Sequence, residues 1–304
     1  MKLTQKTRKR RARASLTQTA PLEVLEDRKL LTGNVTIEIR NNDLRVTGDA
    51  EDNVIQIEGQ NGSGILVTPY EGTTINGNSG PQFIPIDGPI DDAFLTFREG
   101  GNNTIEVRGF TTEDDVVYRG GNQDDVFVAR SMTVGGDINA RTGNGDDFVS
   151  VIGGEIDNSL KINTGNNDDQ VLIVEPLIEN DLAANLGGDD DTILIQFTQI
   201  GDDVNVRLGS GNDTLLAESV SIADRLTLNM GSGNDRAWAG GGSSLGGRGI
   251  VNGGSGVDQG LLEDVSGELP AVRGIESVEF PNVDQAIRDL FDDFSDAVAP
   301  FGGN

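Results

Sequence analysis

A single acidic residue returns at a constant interval through the middle of the sequence. The members of this Asp row are Asp125, Asp147, Asp169, Asp191, Asp213 and Asp235, which follow one another in equal steps of 22 residues. Carboxylate oxygens are hard ligands, of which Ca²⁺ accepts about six to eight in flexible geometry. The chain contains neither His nor Cys, so it lacks the commonest general base and any thiolate ligand. A metal site in this chain must therefore be built from oxygen.

Other residue types repeat with the same period. A Gly lies four residues before each Asp, at Gly121, Gly143, Gly165, Gly187, Gly209 and Gly231. Apolar residues alternate on both sides of each turn, as in Leu160 with Ile162 and Val171 with Ile173. A third apolar column contains Val134, Ile156, Ile178, Ile200 and Ile222. Alternation with period two predicts strands rather than helix, so each repeat holds three short strands.

A fixed period of this length indicates a solenoid. We predict an all-β fold, a parallel β-helix whose coils of about 22 residues stack at the inter-strand spacing of ~4.8 Å. The three-sided coil favours the right-handed form. About seven coils are expected between residues ~103 and ~260, with Ile156, Ile178, Ile200 and Ile222 in one buried column. An unrelated β-sandwich would not produce equal steps.

The flanking segments are less regular and predict caps. Residues 1–33 form a basic leader, 34–100 an N-terminal β cap, 101–262 the β-helix repeats and 263–304 a C-terminal cap. The cap at 34–100 begins with a predicted hairpin that turns at residues 41–43, and residues 72–89 are predicted to form a loop. In the C-terminal cap, the apolar residues between 283 and 294 share one face of an amphipathic helix.

Charge is divided unevenly along the chain. Residues 1–34 contain nine Lys/Arg and three Asp/Glu, whereas the remaining residues contain 14 Lys/Arg and 47 Asp/Glu. Contact with nucleic-acid phosphates needs Lys and Arg, so the acidic body excludes nucleic acid as its partner. No transmembrane segment is expected either. A cation, or solubility in a salty exterior, suits this charge better.

The leader carries a sequence motif. Its basic run could serve as a nucleic-acid arm or as the start of a secretory signal, but no continuous apolar stretch follows the run. Residues 25–31, Leu-Glu-Asp-Arg-Lys-Leu-Leu, resemble the LEPR-XLL motif of large exported or surface proteins of planctomycete bacteria. Asp27 stands where that motif has Pro. The resemblance covers only about the first 33 residues and implies an extracellular or cell-surface location.

The turns themselves resemble a calcium-binding repeat. Gly-x-Gly-Asn-Asp at 209–213 and 231–235 is similar to the RTX nonapeptide Gly-Gly-x-Gly-x-Asp-x-U-x, whose carbonyls and Asp carboxylates hold Ca²⁺ between coils. RTX turns come every nine residues, whereas these come once per 22, and the turns at 121–125 and 187–191 match poorly. The resemblance implies Ca²⁺ as the cofactor. The metal ligands it implies are Asp147, Asp169, Asp191, Asp213 and Asp235.

An alternative interpretation needs no metal, since each Asp could cap its own turn through hydrogen bonds to backbone N–H groups. Carboxylates stacked at ~4.8 Å repel one another by roughly 1 kcal/mol in water, and by ~3–4 kcal/mol at an effective dielectric near 20. Divalent cations offset that repulsion better than hydrogen bonds do. The repulsion therefore favours calcium.

One apolar column is predicted on the outside of the coils. Leu172, Leu194, Leu216 and Trp238 lie between inward-facing residues, so they should point away from the core. An exposed apolar row of this kind indicates a partner surface. The C-terminal helix could instead cover it as an intramolecular lid, and this interpretation is favoured because the lengths of helix and row are compatible.

These patterns favour a non-enzymatic, secreted or cell-surface solenoid with a structural or adhesive role, stabilised by calcium. The alternative function is a carbohydrate-active β-helix enzyme of the polysaccharide lyase or hydrolase type. Such an enzyme needs a local cluster of charged residues on one outer face, but the coils are nearly equal in length and resemble one another. The partner remains open between a cell-surface polysaccharide and a protein.

Overall fold

The computed structural model describes residues 33–60, 62–275, 288 and 299–301. Contacts divide the chain into two units, Met1–Leu30 and Leu31–Asn304, and all described residues belong to the second. The predicted leader, its LEPR-XLL-like motif and the predicted helix after residue 282, apart from residue 288, lie outside the described residues.

The N-terminal part contains seven strands. They are β1 Asn34–Arg40, β2 Asp43–Thr47, β3 Asn53–Gly59, β4 Gly64–Pro69, β5 Thr74–Ile75, β6 Gln82–Pro85 and β7 Ala93–Thr96. Strands β1 and β2 pair antiparallel, and Asn41 and Asn42 between them have positive φ, as a two-residue hairpin turn requires. The predicted hairpin is confirmed. The predicted loop at 72–89 is partly wrong, because β5 and β6 lie within it.

The coils begin at Asn103. Their strands are β8 Asn103–Arg108, β9 Thr111–Thr112, β10 Val116–Arg119, β11 Val126–Val134, β12 Ile138–Asn144, β13 Phe148–Ile156, β14 Leu160–Asn166, β15 Gln170–Val174, β16 Leu177–Ile178, β17 Leu182–Gly188, β18 Thr192–Gln196, β19 Gln199–Ile200, β20 Val204–Ser210, β21 Thr214–Glu218, β22 Ser221–Ile222, β23 Leu226–Ser232, β24 Arg236–Gly240, β25 Ser244–Leu245, β26 Gly249–Ser255, β27 Gln259–Leu262, β28 Ser266–Gly267 and β29 Ala271–Arg273. A 3₁₀ turn, Ala299–Phe301, follows near the end of the chain.

The strands form three sides of a parallel solenoid, as predicted. The first sheet runs β7-β10-β12-β14-β17-β20-β23-β26-β29, with β2, β1 and β5 added at its N-terminal end. The second sheet joins β3, β8, β11, β13, β15, β18, β21, β24 and β27 in parallel register. The two-residue strands β16, β19, β22, β25 and β28 form the third side.

The predicted isoleucine column is confirmed. Ile156 pairs with Ile178, Ile178 with Ile200 and Ile200 with Ile222. The first three are buried in the main core and Ile222 packs against it while partly exposed. Each coil therefore covers the apolar side chains of the next, which is how a solenoid builds one continuous core from thin repeats.

The corner between the first and second sheets requires glycine. Gly165, Gly187 and Gly209 have φ values of 122°, 124° and 121°, a region that L side chains avoid. A Cβ at Gly187 would also overlap the carbonyl oxygen of Gly165, the equivalent glycine one coil earlier. The glycine column thus permits both the turn and the close approach of successive coils.

The lumen loses side-chain volume toward the last coils. Along one inward column Ile193 is followed in register by Leu215, Ala237 and Gly260. A cavity of about 440 Å³ with mostly apolar walls lies in this part of the solenoid. The central coils are therefore the better packed ones. Near the other end of the solenoid, Phe301 makes an edge-on ring contact with Tyr70, with 5.2 Å between the ring centroids.

Candidate metal centre at the Asp corner

The Asp row lies at the glycine corner and is enclosed by it. Asp125, Asp169, Asp191, Asp213 and Asp235 are between 0% and 1% exposed, and Asp147 is 2% exposed. The five residues predicted as metal ligands are therefore brought into one row, one per coil. Ionised carboxylates are almost never buried in this way unless they are paired.

Each carboxylate in the row accepts a hydrogen bond from the preceding coil. The backbone N–H of Asp147 donates to Oδ1 of Asp169 at 2.9 Å, that of Asp169 to Asp191 at 2.9 Å, and that of Asp191 to Asp213 at 2.8 Å. The same bond joins Asp125 to Asp147 and Asp213 to Asp235. The row thus links successive coils through every one of its members.

This pattern differs from capping of the residue's own turn. Only Asp125 receives a hydrogen bond from its own turn among the described residues, from the N–H of Gly121 at 2.8 Å. The other members stabilise the backbone of the neighbouring coil instead. Own-turn capping therefore describes Asp125, whereas the backbone hydrogen bonds accepted by Asp147 and its successors come from the neighbouring coil.

The second oxygen of each carboxylate has no such partner. The buried Oδ2 atoms of Asp147, Asp169, Asp191, Asp213 and Asp235 accept no hydrogen bond from any described residue. The hydroxyls of Thr142 and Thr164 donate to backbone carbonyls of the following coil, although they also lie close enough to the carboxylates of Asp147 and Asp169 to lower the pKa of both. The row therefore presents a line of unsatisfied, buried oxygen acceptors.

Burial makes ionisation of the row unfavourable. It raises the pKa of Asp147 and of Asp191 from 3.8 to about 8, and that of Asp169 to about 7. Hydrogen bonds from Thr142, Thr164 and the backbone lower these pKa values in part, and neighbouring carboxylates raise them further. Burial likewise raises the pKa of Asp213 and of Asp235 to about 6. At neutral pH the row needs protons or cations to compensate its charge.

A second row runs along the outside of the same corner, one residue earlier in each turn. The N–H of Asp146 donates to Oδ1 of Asp124 at 3.0 Å, and the N–H of Asp190 to Oδ1 of Asp168 at 2.9 Å. Asn212 and Asn234 continue the outer row with N–H bonds to Asp190 and Asn212. All of these side chains are exposed. Their bonds run in the opposite direction, from a later coil to an earlier one.

A third set of carboxylates was not predicted. At the corner before the first sheet, the N–H of Asp137 donates to Oδ1 of Asp115 at 2.7 Å and the N–H of Asp203 to Oδ1 of Asp181 at 3.1 Å. These residues also lie 22 apart, so the period alone could have found them. Oxygens of Asp181, Asp202 and Asp203 lie within 4.8 Å of one another. Arg225 pairs with Asp203 at 2.7 Å, which neutralises part of this cluster.

The predicted outer apolar row forms a cluster separate from the main core. Leu172, Leu194, Leu216 and Trp238 pair in register and pack with Phe148. The three leucines are 0% exposed and Trp238 is 8% exposed. The row is thus covered and not bare, and the C-terminal helix predicted to cover it lies outside the described residues apart from residue 288.

Comparison with known proteins finds no matching family model, no similar curated protein and no similar solved structure. In the described part of the chain, no helix is long and apolar enough to cross a membrane.

Proposed function

We propose that this protein is a non-enzymatic β-solenoid with a structural or adhesive role, secreted or displayed at a cell surface, and that Ca²⁺ bound along the Asp row stabilises it. The observation that carries the proposal is the line of buried Oδ2 atoms without hydrogen-bond partners. The resemblance of the Gly-Asn-Asp turns to RTX repeats, and of residues 25–31 to LEPR-XLL leaders, supports the same interpretation.

The donor set at the corner fits calcium. Asp147, Asp169, Asp191, Asp213 and Asp235 each offer one uncommitted carboxylate oxygen, and Ca²⁺ prefers oxygen ligands in flexible arrangements. Bound calcium would supply positive charge where burial disfavours a row of anions. The protein itself sets the register of the coils, because the Oδ1 atoms of the row accept hydrogen bonds from the backbone N–H groups of the neighbouring coil.

The proposed role is structural because the proposed calcium ligands repeat once per coil, so that bound calcium would stabilise the stacking of the coils. Successive strands of both sheets keep the same register through the central repeats. A ligand that binds only the folded chain stabilises it by RT ln(1 + [L]/Kd), or about 2.7 kcal/mol per site at a hundredfold excess over Kd. Several such sites in series would decide whether the solenoid folds.

The test is a calcium titration of the full chain, followed by circular dichroism and thermal unfolding. We expect Ca²⁺ to raise the Tm of the wild type above its value in EGTA. Asp213→Asn keeps an oxygen acceptor for the N–H of Asp191 but removes the charge, so it should reduce the calcium response while leaving the Tm in EGTA unchanged or higher.

The matched control is Asp157→Asn, which removes the same charge from an exposed side chain outside the row. It should leave the calcium response intact. A wild-type Tm that is equal in EGTA and in calcium at low ionic strength would reject the metal, and the Asp row would then serve only as an inter-coil hydrogen-bond ladder.

A further inference from the structure

The first sheet lacks acidic side chains in its strands from β7 to β29. The nine strands from β7 to β29 contain no Asp or Glu. Residues 35–304 carry 47 Asp/Glu and only 14 Lys/Arg. Five of those basic residues lie in these strands, at Arg119, Arg141, Lys161, Arg207 and Arg273. In an acidic protein, these nine strands therefore carry only basic and neutral side chains.

Three arginines converge at one place on this face. Arg119 and Arg141 are direct partners on neighbouring strands β10 and β12, and Arg98 follows β7, the strand on the other side of β10. Together with Asn122 and Asn163 they line a polar groove of about 420 Å³. Arg98 and Arg141 are exposed and Arg119 is half-buried, so their guanidinium groups are accessible.

These arginines have no counterion within the described part of the chain. None of the three forms an ion pair there, although Glu99 adjoins Arg98 in sequence and Asp124 lies in the next turn. Elsewhere arginines do find carboxylates, as Arg225 does with Asp203 at 2.7 Å. Like charges on adjacent coils repel each other. A bound anion would relieve that repulsion, and guanidinium groups hold carboxylates and sulfates through paired N–H donors.

We propose that this groove binds the carboxylate or sulfate groups of an acidic polysaccharide whose chain lies along the solenoid axis. Beyond Arg141 the same outward column continues in register through Asn163, Asn185, Arg207 and Asn229. Amide side chains both donate and accept hydrogen bonds, which suits sugar hydroxyls. The arginine groove and the amide column together match a polymer that carries both kinds of group.

Nucleic acid fits this face less well. Duplex DNA carries one charge per ~1.7 Å of axis, and the acidic body would repel so dense a polyanion. Single strands bind mainly by stacking on aromatic side chains. Along the outward positions of the nine strands the one aromatic residue is Phe94, and Arg45 covers its ring at 4.8 Å.

This inference names a partner for the adhesive role proposed above and rests on that role, but it does not depend on calcium. The experiment measures binding of the full chain to immobilised polygalacturonate and dextran sulfate, with uncharged dextran and single-stranded DNA as comparison ligands. The parent and all variants carry Arg8→Gln, Arg10→Gln, Arg11→Gln and Arg13→Gln, so that the basic leader contributes less to polyanion binding and contributes equally in every comparison. Each measurement is made in calcium and in EGTA, with circular dichroism as the check on folding.

We expect binding to at least one acidic polysaccharide and none to dextran. The double variant Arg119→Gln/Arg141→Gln should weaken it by about tenfold or more. Arg207→Gln removes a charge from the same column outside the groove and should have a smaller effect. The difference between the double variant and its parent should persist in EGTA, whether or not calcium stabilises the fold.

Three results would overturn the proposal. They are absence of binding to both acidic polysaccharides, equal binding by the parent and the double variant, and tighter binding to single-stranded DNA than to either polysaccharide. If calcium does not change the Tm but the groove still binds acidic polysaccharide, only the proposal that calcium stabilises the Asp row would be rejected.

Discussion

The two rows at the glycine corner use the same interaction in opposite surroundings. In the inner Asp row, buried carboxylates accept N–H bonds from the preceding coil, whereas in the outer row exposed Asp and Asn side chains accept them from the following coil. Water can replace a lost partner only in the outer row. Similar hydrogen bonds should therefore contribute unequally to the free energy of unfolding. The inner row should control both the stability of the protein and the dependence of that stability on pH.

The largest effect is expected from pH, because it acts on the whole inner row at once. The pKa of these carboxylates is raised on folding from 3.8 to between about 6 and about 8, so the folded chain binds more protons than the unfolded chain in that window. The free energy of unfolding must then fall as pH rises through it. In EGTA, the Tm should therefore fall steadily as the pH rises from 5 to 8.5.

The outer row supplies the control for this measurement. Asp124→Asn alters an exposed carboxylate and should leave the slope of Tm against pH unchanged, while Asp191→Asn should reduce it. A Tm that stays constant or rises between pH 5 and pH 8.5 would contradict the assignment of buried, protonated carboxylates to the inner row.

The next largest effect should come from the backbone that supports both rows. Gly187→Ala places a Cβ at a φ of 124° and against the carbonyl oxygen of Gly165, which should cost about 3 kcal/mol or more. Gly188→Ala is the neighbouring control, because its Cβ would meet only Ser210 at 3.5 Å and Asn166 at 3.6 Å. Urea unfolding of both variants should show a loss confined to Gly187→Ala, and equal stabilities would refute the steric account of the corner.

A smaller difference should separate single side chains of the two rows. Asp213→Ala leaves the buried N–H of Asp191 without its acceptor, which should cost about 1–3 kcal/mol in EGTA. Asp124→Ala exposes the N–H of Asp146 to water and should cost less than about 0.5 kcal/mol. Chemical denaturation of the two variants measures the contrast, and an equal loss would mean that burial does not distinguish the rows.

The architecture could be predicted from the sequence, but the hydrogen-bond partners of the carboxylates at the glycine corner could not. The equal spacing of Asp147, Asp169 and Asp191 predicts that they form a column, because a solenoid places equivalent residues above one another. It does not reveal which backbone N–H each carboxylate meets, since that depends on the local turn and on the coil beside it. Own-turn capping, the alternative to calcium, therefore accounts for a backbone hydrogen bond at Asp125 but not for the inter-coil bonds of Asp147, Asp169 and Asp191.

The ends and surfaces were harder to predict for a related reason. Alternation correctly assigns Leu172 and Leu194 to a side of the sheet distinct from the main core, but exposure depends on what packs over them. The segment at 72–89 has no period, so β5 and β6 were missed. The third set of carboxylates, around Asp137 and Asp203, lies outside the Gly-Asp turns, so the turn motif does not identify it.

The contact between Phe301 and Tyr70 has a consequence for how the protein unfolds. In a linear array of repeats, each unit touches only its neighbours, so the terminal units fray first and unfolding spreads inward. A contact between the end of the chain and a residue beside the first coils spans the sequence of the whole array. Fraying of the strands around Tyr70 then requires that contact to break as well, so the N-terminal end of the array gains a restraint that the repeat architecture alone would not supply.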